Sequence, residues 1–251
     1  MNDRLRAILI GLGKTIATAF ILTLLVFFVI RIAAPTFPLA SFLLHVAVGN
    51  FGHSATLSEP VGRAIVQRLP STLELIIVSY VISLGVAFGL VRLAARFSER
   101  IVAGVAMALR AVPFFWLVSA SVFVMAVHFQ VSIPPPMLLV ACVLAIFQLP
   151  AILDFLSNRF GASDDRPITL NALLRCLAVL FAKTFPEIFG AAVIAEIYFV
   201  QPGEGRLFWT GWDDPLRVGF VLLSAFFVLA VRFLVETFLA DDLTDGATSD
   251  V

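Results

Sequence analysis

The chain has 251 residues, of which 61% are hydrophobic and 14% charged, and its formal net charge is zero. A soluble domain is usually about a quarter charged, so this sequence lacks the polar surface that a water-facing globule needs. The balanced charge gives no support to nucleic-acid binding, and the two cysteines indicate neither a disulfide framework nor a cysteine metal site. Composition therefore predicts a multi-pass membrane protein that is all-α and lies in the lipid bilayer.

Six segments are long and apolar enough to cross a bilayer as helices, which takes roughly 20 residues and fewer where the ends snorkel. In chain order they are 8–32, 71–91, 101–129, 137–156, 185–199 and 216–239. The first could instead be a cleaved secretory signal, but its length and the poor cleavage site Ala33-Ala34-Pro35 favour a retained helix. We expect about six transmembrane helices in a single domain over 1–251, with an outer loop at 35–70 and a cytoplasmic region at 158–183.

The placement of lysine and arginine predicts that both termini lie in the cytoplasm. In that orientation the inner side carries roughly twice as many basic residues as the outer side, as cytoplasmic loops of membrane proteins do. Tyr198, Trp209 and Trp212 then bracket an outer connection, where amphipathic rings prefer the interface. The acidic cytoplasmic tail at 241–251 adds little to the orientation, because acids barely influence insertion.

Glu74 stands directly before the apolar run 75–91, where a carboxylate needs a physical reason. Ser71 and Glu74 have the spacing of a capping box, in which each side chain satisfies a free backbone N–H at a helix start. Pro70 would help to stop a helix from continuing through this point. We therefore predict a structural cap at the outer water edge, with a proton- or ligand-binding acid as the alternative. The preceding segment 58–69 has one apolar stripe and predicts a short helix on the outer surface.

Helix-breaking residues and polar groups at membrane depth indicate where a solute path is expected. Arg110, Pro113 and Trp116 follow one another at about one helical turn in the third segment, although Arg110 could instead snorkel to the inner interface. Glu187 opens the fifth segment, where a cap or turn is the other interpretation. Glu196, near the outer end of that segment, either lines an outer gate or reaches the surface. All five are candidates for the translocation path or its gate.

The sequence displays no catalytic set. The three histidines are scattered over separate outer segments without metal-ligand spacing, and neither a G-x-S-x-G elbow nor a phosphate-binding loop is present. The stretch Gly203-Glu204-Gly205 predicts a turn and is too short a signal for a nucleotide. We therefore expect no enzymatic activity and no cofactor or metal, so that any ATP hydrolysis would belong to another chain.

Three stretches make the chain resemble a known family. They are GNFGHSATLSEPVGRAIVQRLPSTLEL at 49–75, RAVPFFWLVSASVFVMAV at 110–127, and FPEIFGAAVIAEIYFVQPGEGRLFW at 185–209. In order and in their Pro, Glu and Gly placements they are similar to the B-type permeases of oligopeptide/dipeptide ABC importers. The resemblance covers nearly the whole chain. It implies a six-helix bundle of the type I importer class in a bacterial inner membrane.

The resemblance also implies partners: a second permease subunit, cytoplasmic ATP-binding subunits, and an extracytoplasmic solute-binding protein that delivers peptides. The ATPase-coupling loop of that family corresponds here to residues between the fourth and fifth segments, with the candidates Gly161, Asp164, Asp165, Arg166, Asn171 and Arg175. The chain departs from the family there, because the Ala-rich and basic part is replaced by a polar turn. This departure leaves an alternative function, a degenerate permease-like structural or assembly subunit of another membrane complex without transport activity.

Overall fold

The computed structural model describes residues 48–54, 57–94, 99–128, 135–160, 170–210 and 215–238, together with short stretches between 6 and 45. Helices account for nearly all of these residues, and the described part of the chain contains no β-strand. In chain order the helices are α1 (Val61–Ala94), α2 (Glu99–Arg110), α3 (Phe114–Val127), α4 (Met137–Phe160), α5 (Leu170–Phe199), α6 (Glu204–Thr210) and α7 (Pro215–Phe238).

The described helices make the chain a polytopic membrane protein, as the composition predicts. Four stretches are long and apolar enough to cross a membrane: Val61–Leu93, Met137–Ser157, Cys176–Phe199 and Leu216–Phe233. The pair α2 and α3 adds a fifth if it counts as one broken span. The first predicted span, 8–32, is described in part and contains a shorter apolar helix, Leu9–Thr18. The structure thus accounts for four to five of the about six predicted spans.

Contacts divide the chain into two compact units. One combines Met1–Gln67, Leu173–Phe185 and Leu207–Val251, and the other combines Arg68–Ala172 and Pro186–Arg206. In the first unit, Phe51 of the loop before α1 lies against Gly219 of α7, and the rings of Phe185 and Phe227 meet edge to face at 5.8 Å. The predicted single permease-like domain over 1–251 stays a prediction.

Helix α1 is longer than the sequence predicts, because it continues through Pro70. An internal proline removes one backbone hydrogen bond and normally ends or kinks a helix. Here the proline is exposed, whereas the apolar stripe on the turns before it is buried: Val61, Ala64 and Ile65 are at most 2% exposed. Burial of that stripe stabilises the first turns strongly enough for the predicted surface helix 58–69 and the second span to form one helix.

The predicted cap at the start of the second span is wrong. Ser71 and Glu74 lie about three turns inside α1, where the backbone N–H groups already belong to the helix. The helix begins at Val61 instead, and the Pro60 carbonyl accepts hydrogen bonds from the N–H groups of Arg63 and Ala64. Glu74 is exposed on the helix surface.

The third predicted span is broken at Pro113. Helix α2 ends at Arg110, α3 begins at Phe114, and their axes differ by 86°. Proline disfavours helical geometry in the residue before it but suits a helix start. Accordingly, Pro113 has φ −59° and ψ 139°, and its carbonyl accepts hydrogen bonds from the N–H groups of Trp116 and Leu117. At 14 residues, α3 alone is shorter than a bilayer-spanning helix.

The fourth and sixth predicted spans are confirmed as α4 and α7. The fifth is again longer than predicted, because α5 begins at Leu170 and runs through Pro186. Glu187 therefore lies inside a helix and is exposed, which excludes a cap or turn at that point.

Candidate functional site

The end of α5 is organised around a buried carboxylate. Glu196 is 1% exposed, so the interpretation that it reaches the surface is wrong. Its Oε2 accepts a hydrogen bond of 2.6 Å from the N–H of Gly205, at the start of α6. A carboxylate near the carboxyl end of a helix is disfavoured by the helix dipole, and the free N–H groups of the following helix offset that cost.

A second helix completes this site through Thr72 of α1. The Thr72 hydroxyl donates a hydrogen bond to the Glu196 carboxyl. The same hydroxyl accepts a hydrogen bond of 3.0 Å from the backbone N–H of Glu204. Both Thr72 and Glu204 are fully buried. We call Glu196, Thr72, Glu204 and Gly205 the Glu196 cluster. It ties α1, the end of α5 and the start of α6 together through buried hydrogen bonds.

The chain between α5 and α6 turns sharply enough to form this cluster. Gln201 donates its backbone N–H to the Glu196 carbonyl at 3.0 Å, and Val200 adopts a left-handed conformation with φ 57°. This pattern is a Schellman motif, in which the left-handed position is usually glycine. The Gln201 side chain also donates to the Pro135 carbonyl at 2.5 Å, which fixes the turn to the segment before α4.

Glycine is required at two positions of the turn. A Cβ on Gly203 would overlap the Glu196 carboxyl group, and a Cβ on Gly205 would overlap the backbone carbonyl of Val193. Only a residue without a side chain lets the turn approach α5 this closely. The sequence motif was interpreted as a turn alone, whereas its glycines are what allow the carboxylate to be buried.

Adjacent residues of α1 provide a test of the Glu196 cluster. Thr72→Val is expected to destabilise the protein by about 1–3 kcal/mol, because it leaves the buried N–H of Glu204 without its acceptor. Ser71→Ala is expected to change stability by less than about 0.5 kcal/mol, because Ser71 caps no helix. Thermal unfolding of the detergent-purified variants measures both, and equal effects would contradict this assignment.

A second polar contact lies at the break between α2 and α3. The Arg110 guanidinium forms an ion pair and hydrogen bond with the carboxylate of Asp154 on α4. In the chain without surrounding lipid, the side chains of Arg110 and Asp154 are 55% and 40% exposed. The pair connects the end of α2 to α4, which leads into the predicted coupling region. Asp154 was missed in the sequence, although it is an acid inside an otherwise apolar span.

Substitutions at this ion pair are expected to be non-additive. Arg110→Gln and Asp154→Asn should each lower stability, because each leaves a charge unpaired inside a candidate membrane span. The double substitution should be at least as stable as either single one, since it leaves neither charge unpaired. A double-mutant cycle on thermal unfolding measures the coupling, and purely additive losses would contradict the pairing.

The remaining path candidates stay predictions. Pro113 produces the break, and Trp116 is 60% exposed on the first turn of α3, with Phe115 beside it at a ring distance of 5.4 Å. Gly161, Asp164, Asp165 and Arg166 of the coupling region lie outside the described residues. Asn171 and Arg175 lie on α5, but their side chains are outside the described part. Within the described residues, no group of three His, Cys, Asp or Glu side chains could hold a metal ion.

Comparison with known proteins finds similar chains in two kinds of import system. The chain is 30% identical over 234 residues to the metal-staphylopine import system permease protein CntB of Staphylococcus aureus (strain NCTC 8325 / PS 47), covering 80% of this chain and 73% of the relative. It is 26% identical over 226 residues to a putative peptide transport system permease protein of Brucella abortus (strain 2308), covering 74% and 72%. No family model matches the chain.

Proposed function

The chain belongs to the permease subunits of peptide-type ABC importers, and from this premise we propose that it forms half of a translocation pathway for peptides or similar small solutes. The alignment with two import-system permeases over at least 74% of the chain carries the proposal. As a multi-pass protein of the bacterial inner membrane, it would pair with a second permease. Cytoplasmic ATP-binding subunits would drive it, and an extracytoplasmic solute-binding protein would supply it.

The described geometry supports this function. A permease must hold polar groups at membrane depth, and such groups are costly unless they are paired or line a path. Here the Glu196 carboxyl accepts hydrogen bonds from Gly205 and Thr72 inside one unit, and Arg110 pairs with Asp154 beside a broken helix. Broken helices at membrane depth are typical of transport proteins, where irregular backbone borders a cavity. We propose that the break at Pro113 borders the solute path.

Purification of the tagged chain from its own membranes tests the proposal. We expect a second permease and ATP-binding subunits to accompany it, and we expect the complex in vesicles to move solute in an ATP-dependent manner. Purification without any ATPase and without a second permease would contradict it. Short peptides and metal-loaded chelators, assayed separately, would then define the substrate class.

The alternative, a structural or assembly subunit without transport, is supported by the departure from the family pattern at 158–186. Single cysteines in place of Asp164 or Arg166 separate the two functions by cross-linking in intact membranes. Labelling of an ATP-binding subunit supports transport, whereas exclusive labelling of another complex supports the alternative. The same region tests the proposed orientation, with both termini in the cytoplasm: a reporter after Ser163 should be inaccessible from outside intact cells.

A further inference from the structure

In a buried polar contact between α1 and α4, the amide of Gln148 makes a hydrogen bond through its nitrogen but none to a described residue through its oxygen. Nε2 of Gln148 donates a hydrogen bond of 2.8 Å to Oγ of Ser79, which donates to the Ile76 carbonyl. Oε1 of Gln148 and Oγ of Ser83 are buried and have no hydrogen-bond partner among the described residues. The side chains of Gln148, Ser79 and Ser83 are at most 3% exposed.

The two unpaired atoms are chemically complementary. A serine hydroxyl can donate a hydrogen bond, and the oxygen of a glutamine amide can accept one. Ser79 and Ser83 are four residues apart on α1, so they lie on the same face about one turn from each other. A single Gln148 amide can therefore span both serines, donating to Ser79 through its nitrogen and accepting from Ser83 through its oxygen.

An unformed bond of this kind is unusual in a helix core. Buried polar atoms are nearly always hydrogen-bonded, and a bilayer offers no water to replace the missing partner. Packed helices move between discrete arrangements by small shifts rather than by continuous deformation. A bond that forms in one arrangement and not in the other favours the arrangement in which it forms.

We propose that Ser83 and Gln148 are positioning residues for the transport cycle. In the described state the Gln148 amide binds Ser79 alone, and in the alternate state α4 moves against α1 so that the amide binds both serines. This inference rests on the proposed transport function. It assigns the contact between α1 and α4 to the conformational change and not to solute binding.

Disulfide cross-linking in the assembled complex tests the proposal. In a background without Cys142 and Cys176, the pair Ser83→Cys with Gln148→Cys is compared between the nucleotide-free complex and the complex trapped with ATP and vanadate. We expect the cross-link yield of this pair to differ several-fold between the two states, because α4 approaches Ser83 in only one of them; the cysteines report the distance between the helices and not the hydrogen bond itself. The pair Ser79→Cys with Gln148→Cys should cross-link in both.

Ser83→Ala provides a second measurement that does not depend on cysteine. It should lower solute transport per ATP hydrolysed several-fold without lowering the thermal stability, because the hydroxyl is unpaired in the described state. Ser83→Thr should restore transport because it keeps the hydroxyl. Ser121→Ala is the matched control, since the Ser121 hydroxyl donates to the Leu117 carbonyl of its own helix. No change of transport in Ser83→Ala would overturn the proposal.

The outcomes separate this inference from the proposed function. A complex that hydrolyses ATP and transports solute, but gives equal cross-link yields in both states, overturns the inference and leaves the proposed function intact. A water molecule that bridges Ser83 and Gln148 in every state would produce that result. Absence of ATP-binding subunits from the purified complex would overturn both.

Discussion

Replacing Gly205 by alanine is expected to prevent the protein from folding into a stable permease. The added Cβ would overlap the backbone carbonyl of Val193, and a helix backbone cannot move aside as a flexible side chain can. Overpacking a well-packed core typically costs about 1–3 kcal/mol, and a collision with rigid backbone belongs at or above the upper end of that range. The same shift would break the bond between the Gly205 N–H and Glu196.

The control for this substitution is Gly190, which lies on α5, the helix that Gly205 approaches. A Cβ on Gly190, on an exposed face of α5, would meet no atom within 4 Å. Gly190→Ala should therefore be neutral or slightly stabilising, because alanine favours a helix over glycine by about 1 kcal/mol. Membrane yield and thermal unfolding in detergent compare the two variants. A stable Gly205→Ala protein with full transport would show that the close approach of the turn to α5 is not needed.

Glu196→Leu is expected to abolish transport and to destabilise the protein strongly. The substitution leaves the Gly205 N–H and the Thr72 hydroxyl buried without an acceptor, at about 1–3 kcal/mol for each group. Glu196→Gln should be milder, because it keeps an oxygen acceptor at nearly the same volume. Stability should therefore fall from the wild type to Glu196→Gln and further to Glu196→Leu. Thermal unfolding measures this order, and uptake into vesicles measures the loss of transport.

Glu187→Gln is the matched control for Glu196, since both glutamates lie on α5 but Glu187 is exposed. Its stability should change by less than about 0.5 kcal/mol. Its effect on transport then reports on the path itself, because Glu187 remains a path candidate. If Glu196→Leu were as stable as Glu187→Gln, the buried hydrogen bonds around Glu196 would contribute nothing, and the cluster would lose its structural role.

The Gly205 and Glu196 substitutions together distinguish residues that are needed for folding from residues that are needed for transport. The stretch from Glu196 to Gly205 is one of those that resemble the family pattern, and Glu196 was a candidate either to line a gate or to reach the surface. The structure shows the carboxylate as the centre of a hydrogen-bonded joint between α1, α5 and α6. We therefore expect defects at Glu196 to begin with loss of folding, whereas defects at the break around Pro113 should affect transport first.

Several properties of this protein follow from the sequence alone. An excess of apolar residues excludes a water-soluble fold, and apolar segments of roughly 20 residues are long enough to cross a bilayer as helices that satisfy their own backbone groups, so the all-α polytopic class follows from the sequence. The order of Pro, Glu and Gly motifs was enough to identify the permease family. Pro113 was recognised as a helix-breaking residue inside one predicted span, and it does end the helix there, because the restriction that proline places on its neighbours is local.

Only the tertiary structure decided where the other helices begin and which polar residues meet. Pro70 and Pro186 lie inside helices, because burial of neighbouring apolar side chains outweighs one lost hydrogen bond. The partners of Glu196, Arg110 and Gln148 lie on other helices, 124, 44 and 69 positions away in the chain. Contacts over such separations depend on how the helices pack, and no local pattern of residue types contains that information.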